Sequence, residues 1–285
     1  MAPTTTRRDF GRLLAAGGLA ATAPALLTGR ARASAAAIAP DGPIAPGMDA
    51  FEYAVRTFMT ERGITCGALA VVRHGRLLMA RGYSNGESGV TVRPTSLFRI
   101  ASLSKPVTAV ATMSLVQDGR LSILDTLPQR VTLTPPPGRQ VAAGLDQVNV
   151  ARLLRHQGGW SPNNLTGADL QIADELSAAL PISRDLNISW GITRPLAYTP
   201  GTSSSYNNFG YMLLGKIIEN VTGLGYETYV RQRVLAPMGI PATRMRLGST
   251  LTRASGEVVY RDPETRTSVI DRSTLQPPFG APRGA

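Results

Sequence analysis

Apolar residues fall into short patterned runs along this chain, separated by glycine, proline and polar residues. Ala68-Leu69-Ala70-Val71-Val72 and Leu77-Leu78-Met79-Ala80 flank His74-Gly75, which predicts a β-hairpin with His74 as a solvated turn residue. A helix is expected just before it, from Met48 to Arg62. Val107, Val110, Ala111, Met113, Leu115 and Val116 predict a helix from Ser102 to Gln117, closed by Asp118-Gly119. Pro106 then lies in the first turn, where a missing N–H does little harm. Ser102 is thereby placed at the helix N-terminus, where free N–H groups and the helix dipole stabilise negative charge.

Further on, Val148 to Arg155 reads as a short helix that ends in the turn Arg155-His156-Gln157-Gly158-Gly159-Trp160. His156 is expected to be a structural hydrogen-bonding residue of that turn. Polar loops and short helices continue to Tyr198-Thr199-Pro200-Gly201. Phe209 to Thr222 predicts a longer helix with Leu213, Leu214, Ile217 and Ile218 facing inward, and Lys216 a solvated charge upon it. Val258-Val259-Tyr260 and Thr267-Ser268-Val269-Ile270 suggest a late hairpin.

The start of the chain has a different pattern. Thr6-Arg7-Arg8-Asp9-Phe10 precedes a mild apolar stretch from Leu13 to Leu27, and small-residue sites follow at Ala31-Arg32-Ala33 and Ala33-Ser34-Ala35. Residues 1–35 therefore resemble a twin-arginine export signal, and the protein is expected to be periplasmic or extracellular. The stretch is too short and too rich in Ala and Gly for a membrane span. No cysteine follows it to carry a lipid, so no stable membrane anchor is expected. Residues 36–47 are Ala/Pro-rich and read as a linker, and residues 48–285 as one domain.

Composition narrows the chemistry. Cys66 is the only cysteine, which excludes an internal disulfide and any cysteine-based metal cluster. His74 and His156 are the only histidines, too few nitrogen ligands for an ordinary zinc hydrolase. A Ser-His-Asp triad would need one of them, and no Gly-x-Ser-x-Gly elbow is present. Of the net charge of +11, residues 1–35 carry +4; the remaining +7 is scattered, with no basic run interleaved with aromatics, so nucleic-acid binding finds no support. Attraction to anionic cell-wall polymer is another use for that charge.

Only two of the 30 basic residues are lysines, Lys105 and Lys216. Lys105 follows Ser102 by three residues, so on a helix the two share a face. Arginine cannot give up its proton in a protein, whereas a buried lysine can. A neutral amine beside a hydroxyl is a base beside a nucleophile. A lone Ser-x-x-Lys arises readily by chance. A second element, Tyr206-Asn207-Asn208, stands just before the Phe209 helix. The tyrosine offers a phenol that can shuttle a proton, and Asn208 an amide that both donates and accepts.

Phe98-Arg99-Ile100-Ala101-Ser102-Leu103-Ser104-Lys105-Pro106 and Pro200-Gly201-Thr202…Tyr206-Asn207-Asn208-Phe209-Gly210-Tyr211 resemble the first two active-site motifs of the serine β-lactamase and penicillin-binding superfamily. The Tyr-x-Asn form is similar to its class C branch, which includes class C β-lactamases, D-alanyl-D-alanine carboxypeptidases, D-aminopeptidases and lactamase-fold esterases. The resemblance implies an α/β (α+β) β-lactamase-like fold, with an antiparallel sheet flanked by helices and an inserted all-helical region. It implies no metal and no cofactor. Ser102 would attack a carbonyl and form an acyl-enzyme. Lys105 would take its proton or lower the pKa of its neighbours, Tyr206 would relay a proton to the leaving group, and Asn208 would orient the substrate amide. Lys105 and Tyr206 both remain open as the base. The backbone N–H of Ser102 would be one oxyanion donor. The substrate would be a β-lactam, a D-amino-acid peptide or an ester.

One feature of the family is missing. A third motif, Lys/His-Thr/Ser-Gly on a strand edge, has no match after Tyr206; Arg253-Ala254-Ser255-Gly256 comes nearest. The chain is accordingly expected to be incomplete at its C-terminus. The competing expectation is a catalytically degenerate penicillin-binding or regulatory protein on the same fold.

Overall fold

The hairpin makes two of the three strands of a small antiparallel sheet among the described residues. In the computed structural model, which describes residues 37–87, 89–161, 165, 168–241 and 253–261, β2 (Cys66–Arg73) pairs with β3 (Arg76–Ser84). Leu69 lies opposite Arg81 and Ala70 opposite Ala80. His74 and Gly75 turn the chain at φ 50° and 74°, and His74 is exposed as expected. β1 (Ala39–Asp41) pairs with the other side of β3, so the order is β1-β3-β2. Three residues of the segment read as a linker are thus an edge strand. An alanine- and proline-rich stretch suits such a place, because proline has no N–H to give to a ladder and is tolerated at an edge.

Helix α1 (Asp49–Glu61) lies against this sheet. Met59, Met79, Tyr83 and Ile38 form its buried contact. Arg81 of β3 holds Glu52 of α1 at 2.7 Å and donates to the Gly42 carbonyl at 2.6 Å, fixing helix, strand and connecting loop together.

The larger core is helical. Its elements are α2 (Ser104–Gln117), α3 (Leu127–Arg130), α4 (Val150–Leu154), α5 (Asp169–Leu176), α6 (Arg184–Gly191), α7 (Asn208–Thr222) and α8 (Tyr226–Val230), which runs on into a π-helical turn at Arg231–Leu235. α7 buries Leu213, Leu214, Ile217 and Ile218, the four residues its spacing predicted. They meet Ala111 and Leu115 of α2, Leu153 of α4 and Tyr226, Tyr229 and Val230 of α8 in one apolar cluster. Two polar ties lock α2 in place. Thr108 and Tyr226 share a buried hydrogen bond of 2.7 Å, and Arg120 donates to the Val221 carbonyl at 2.7 Å.

Three details differ from expectation. Ser102 is not in the α-helix but in a 3-10 turn, Ala101–Leu103, immediately before it. Pro106 has no N–H to offer the Ser102 carbonyl four residues back, so the α-helical ladder stops there and the chain tightens. Lys216 is not a free surface charge: it holds Asp185 of α6 at 3.0 Å. Val258–Tyr260 forms no hairpin strand; Glu257 makes an isolated parallel bridge with Leu97. The other predicted arm, Thr267–Ile270, and the leader, residues 1–35, lie outside the described residues. Among the described residues, no helix is long and apolar enough to cross a membrane.

Two predictions test this packing. A β-carbon at Gly191 would lie 2.3 Å from a ring atom of Phe209, which sits edge-on to Trp160 at 5.0 Å. Gly191→Ala should therefore cost about 1–3 kcal/mol of overpacking, measured as a lower urea midpoint with unchanged slope. Glu175 accepts from Trp190 Nε1 at 2.9 Å, Arg139 at 2.7 Å and Gln171 at 2.6 Å. These bonds, that from Trp190 first, bring its pKa down from 4.5 to about 2. A depressed carboxylate contributes stability that is complete above its ordinary pKa and is lost as pH falls toward its folded value. Glu175→Gln should destabilise the protein by about 1 kcal/mol at neutral pH, with the difference from wild type vanishing as pH falls from 4.5 to about 2.

Candidate active site

Two helix starts meet at one place. The 3-10 turn carries Ser102 into α2, whose second residue is Lys105. Asn207 caps α7, its side-chain oxygen accepting the Gly210 N–H at 3.3 Å, and so places Tyr206 just before the helix and Asn208 at its first position. Because α2 and α7 pack side by side, residues about a hundred positions apart converge.

All four residues singled out from the sequence come together. Lys105 Nζ donates to Tyr206 Oη at 2.6 Å and to Asn208 Oδ1 at 2.7 Å, and lies 3.3 Å from Ser102 Oγ. Ser102 Oγ and Tyr206 Oη are hydrogen-bonded to each other. The hydroxyl, the phenol and the amine therefore form a closed triangle, with Asn208 holding the amine from outside it. The ammonium also lies 4.6 Å from the centre of the Tyr206 ring, within cation–π range. Ser102 is exposed and Tyr206 is 49% exposed, while Lys105 and Asn208 are half-buried. The two hydroxyls face solvent, and the amine and the amide are more covered.

Charge sets the state of the phenol. Burial pushes the Tyr206 pKa up, but hydrogen bonds from Lys105 and Ser102, with the Lys105 charge, outweigh it and bring the group below its ordinary 10.0. A tyrosine held this way passes protons more readily than an isolated one.

Two supports were not legible as such in the sequence. Ala101, immediately before Ser102, sits at φ +43°, a left-handed conformation uncommon for residues other than glycine. The segment 253–261 clamps the chain that leads into it. Leu97 N–H donates to Gly256 O at 2.9 Å and Val258 N–H to Leu97 O at 3.1 Å. Arg99 holds Glu257 at 2.7 Å, and its backbone N–H donates to Tyr260 Oη at 2.6 Å. The other support is the His156 ring, which lies 4.8 Å from the Tyr206 ring and 5.1 Å from the Tyr211 ring. Its position between a helix end and Gly158-Gly159 marked a turn, and nothing in that pattern pointed toward Tyr206.

Comparison with known proteins points in one direction. A family model described as Beta-lactamase matches residues 51–273. The chain is 32% identical over 199 residues to Esterase EstB of Burkholderia gladioli, covering 67% of this chain and 48% of that protein. It is 25% identical over 215 residues to Protein flp of Staphylococcus aureus (strain N315), covering 74% of this chain and 41% of that protein. Among solved structures, the octameric penicillin-binding protein homologue from Pyrococcus abyssi superposes with a TM-score of 0.61 at 25% identity, over 84% of this chain and 52% of that one. EstCE1 shares the fold, with a TM-score of 0.59 at 19% identity over 75% of this chain and 57% of that one. The chain spans about half the length of the curated relatives it matches.

If Lys105 lowers the Tyr206 pKa, removing the amine must raise it. An ultraviolet pH titration of wild type minus Tyr206→Phe should give one phenol that ionises below the ordinary 10.0. The same difference taken on a Lys105→Met background should return that phenol to the ordinary range or above, and an unchanged titration would separate the two groups electrically.

Proposed function

The chain belongs to the beta-lactamase family, with the β-lactamase-like fold of its structural neighbours, and from that premise we propose that it is an exported serine hydrolase working through an acyl-enzyme at Ser102. The observation that carries this reading is the Ser102–Tyr206–Lys105 triangle. Tyr206, held below its usual range by Lys105, takes the hydroxyl proton as Ser102 Oγ forms a bond to the substrate carbonyl carbon. The carbonyl electrons move to oxygen, where the Ser102 backbone N–H is one donor for the developing charge. As the electrons return, the bond to the leaving group breaks and Tyr206 gives its proton to that group. Water then repeats the sequence with the acyl-serine as its target. Asn208 has its Oδ1 turned to Lys105, which leaves its amide N–H₂ as a donor for the acyl side of the substrate.

An ester is the favoured substrate class. Its support is the 32% identity to a protein named Esterase EstB, together with the openness of the site at Ser102 and Tyr206. β-Lactams and D-amino-acid peptides are handled by the same acyl-transfer chemistry. Export is supported by the twin-arginine pattern at Arg7-Arg8 and the apolar run that follows.

Intact mass spectrometry after incubation with p-nitrophenyl acetate and, separately, with benzylpenicillin tests the reading. Wild type should gain one acyl group that Ser102→Ala does not, and Tyr206→Phe should acylate about 100-fold more slowly or worse. An ester adduct that turns over identifies a hydrolase. A penicillin adduct that persists identifies a slowly deacylating binding protein. No adduct on folded protein removes the reading.

A further inference from the structure

His156 is attached to the residues on both sides of Tyr206. Its backbone carbonyl accepts the N–H of Ser205 at 2.9 Å. Its ring nitrogen Nδ1 accepts the N–H of Asn207 at 3.2 Å. The preceding carbonyl, of Arg155, accepts from the Ser204 hydroxyl at 3.0 Å, and Asn207 Nδ2 reaches the Ser161 carbonyl at 3.4 Å. The turn after α4 therefore grips residues 204 and 205 before the phenol and 207 after it, while residues 201–204 are exposed. Of these bonds, only the one to Nδ1 depends on protonation: a ring nitrogen accepts an N–H only when it carries no proton.

We propose that His156 is the positioning residue of this site: its neutral Nδ1 holds the Asn207 amide so that Tyr206 Oη stays between Ser102 Oγ and Lys105 Nζ, and protonation of the ring releases it. Protonated, Nδ1 presents a hydrogen to the Asn207 N–H, and a second cation joins Lys105 beside the same tyrosine ring. The groups that face the imidazole are Lys105 from α2, Tyr206 from the loop and Tyr211 from α7, with Tyr198 reaching its backbone carbonyl at 3.4 Å. Burial and then the Lys105 charge hold the His156 pKa below the ordinary 6.5. The ring is therefore neutral at pH 7, and acylation falls as pH drops through that lowered value. The kinetic consequence rests on the serine-hydrolase reading; the structural switch does not.

Because the chain has only two histidines, each can be followed by NMR, with His74→Gln assigning the pair. The Asn207 amide and Tyr206 ring resonances should move with the His156 titration. In a pH series of p-nitrophenyl acetate acylation, one fall in rate should share the His156 midpoint, apart from the one set by protonation of Tyr206. His156→Asn keeps an acceptor near the Nδ1 position and tolerates the φ of +59°. It should acylate at close to the wild-type rate and lose the fall that follows the His156 titration, keeping the one set by Tyr206. His156→Phe keeps a ring against the two tyrosines but no acceptor, and should acylate about 10-fold more slowly at every pH, the scale of one lost hydrogen bond, with KM little changed. The proposal fails if Asn207 and Tyr206 ignore the His156 titration, if the fall at the His156 midpoint survives in His156→Asn, or if folded His156→Phe acylates normally. Should His156→Phe not fold, the Asn variant and the NMR titration decide it. A wild type that is never acylated removes the hydrolase reading, and the NMR titration alone then judges the switch.

Discussion

The packing of α2 against α7 is the constraint on which the rest of the site depends. Each buried leucine or isoleucine contributes about 1.5–3 kcal/mol on removal from water, while a single hydrogen bond nets about 1 kcal/mol. Leu213, Leu214, Ile217 and Ile218 with Ala111 and Leu115 therefore outweigh the polar contacts at the helix starts. The helices are placed by their apolar faces, and the side chains of the candidate site follow from where the helices begin. Ser102 and Lys105 precede the buried part of α2, and Tyr206 and Asn208 precede that of α7. One interface thus brings a hydroxyl, an amine, a phenol and an amide within hydrogen-bonding distance.

The geometry that remains is held locally. α7 is capped by Asn207, which fixes the residue between Tyr206 and Asn208. The 3-10 turn at Ser102 follows from the proline that cannot support another α-helical bond. Ala101 takes a left-handed conformation while Arg99 and Leu97 are clamped by the 253–261 segment. A strained residue such as Ala101 persists only where its surroundings hold it, and these contacts are such surroundings.

Electrostatics give the arrangement a direction. Lys105 is the only formal cation in the triangle, and it donates to both the phenol and Asn208. Its hydrogen bond and charge favour the deprotonated form of Tyr206, and its charge disfavours a proton on His156. The same amine thus promotes phenolate character on one neighbour and neutrality on the other. The Tyr206 ring lies against both Lys105 and His156.

Local patterns in the sequence determined the hairpin around His74-Gly75, the helices read from Met48, Ser102, Val148 and Phe209 to within two residues at their starts, and the buried face of α7. These depend on residue spacing over one or two turns, which sequence displays directly. Ser102, Lys105, Tyr206 and Asn208 were legible because helix starts, Ser-x-x-Lys spacing and the scarcity of lysine are properties of the chain itself. Other features needed the folded molecule. The edge strand at Ala39–Asp41 exists because β3 offers it a partner forty residues away. Lys216 is paired because α6 presents Asp185. Arg99 meets Glu257 across more than 150 residues, and the His156 ring reaches the Tyr206 loop only when α4 and α7 are packed. Such contacts join residues whose separation along the chain carries no periodicity, so only the tertiary structure could decide them.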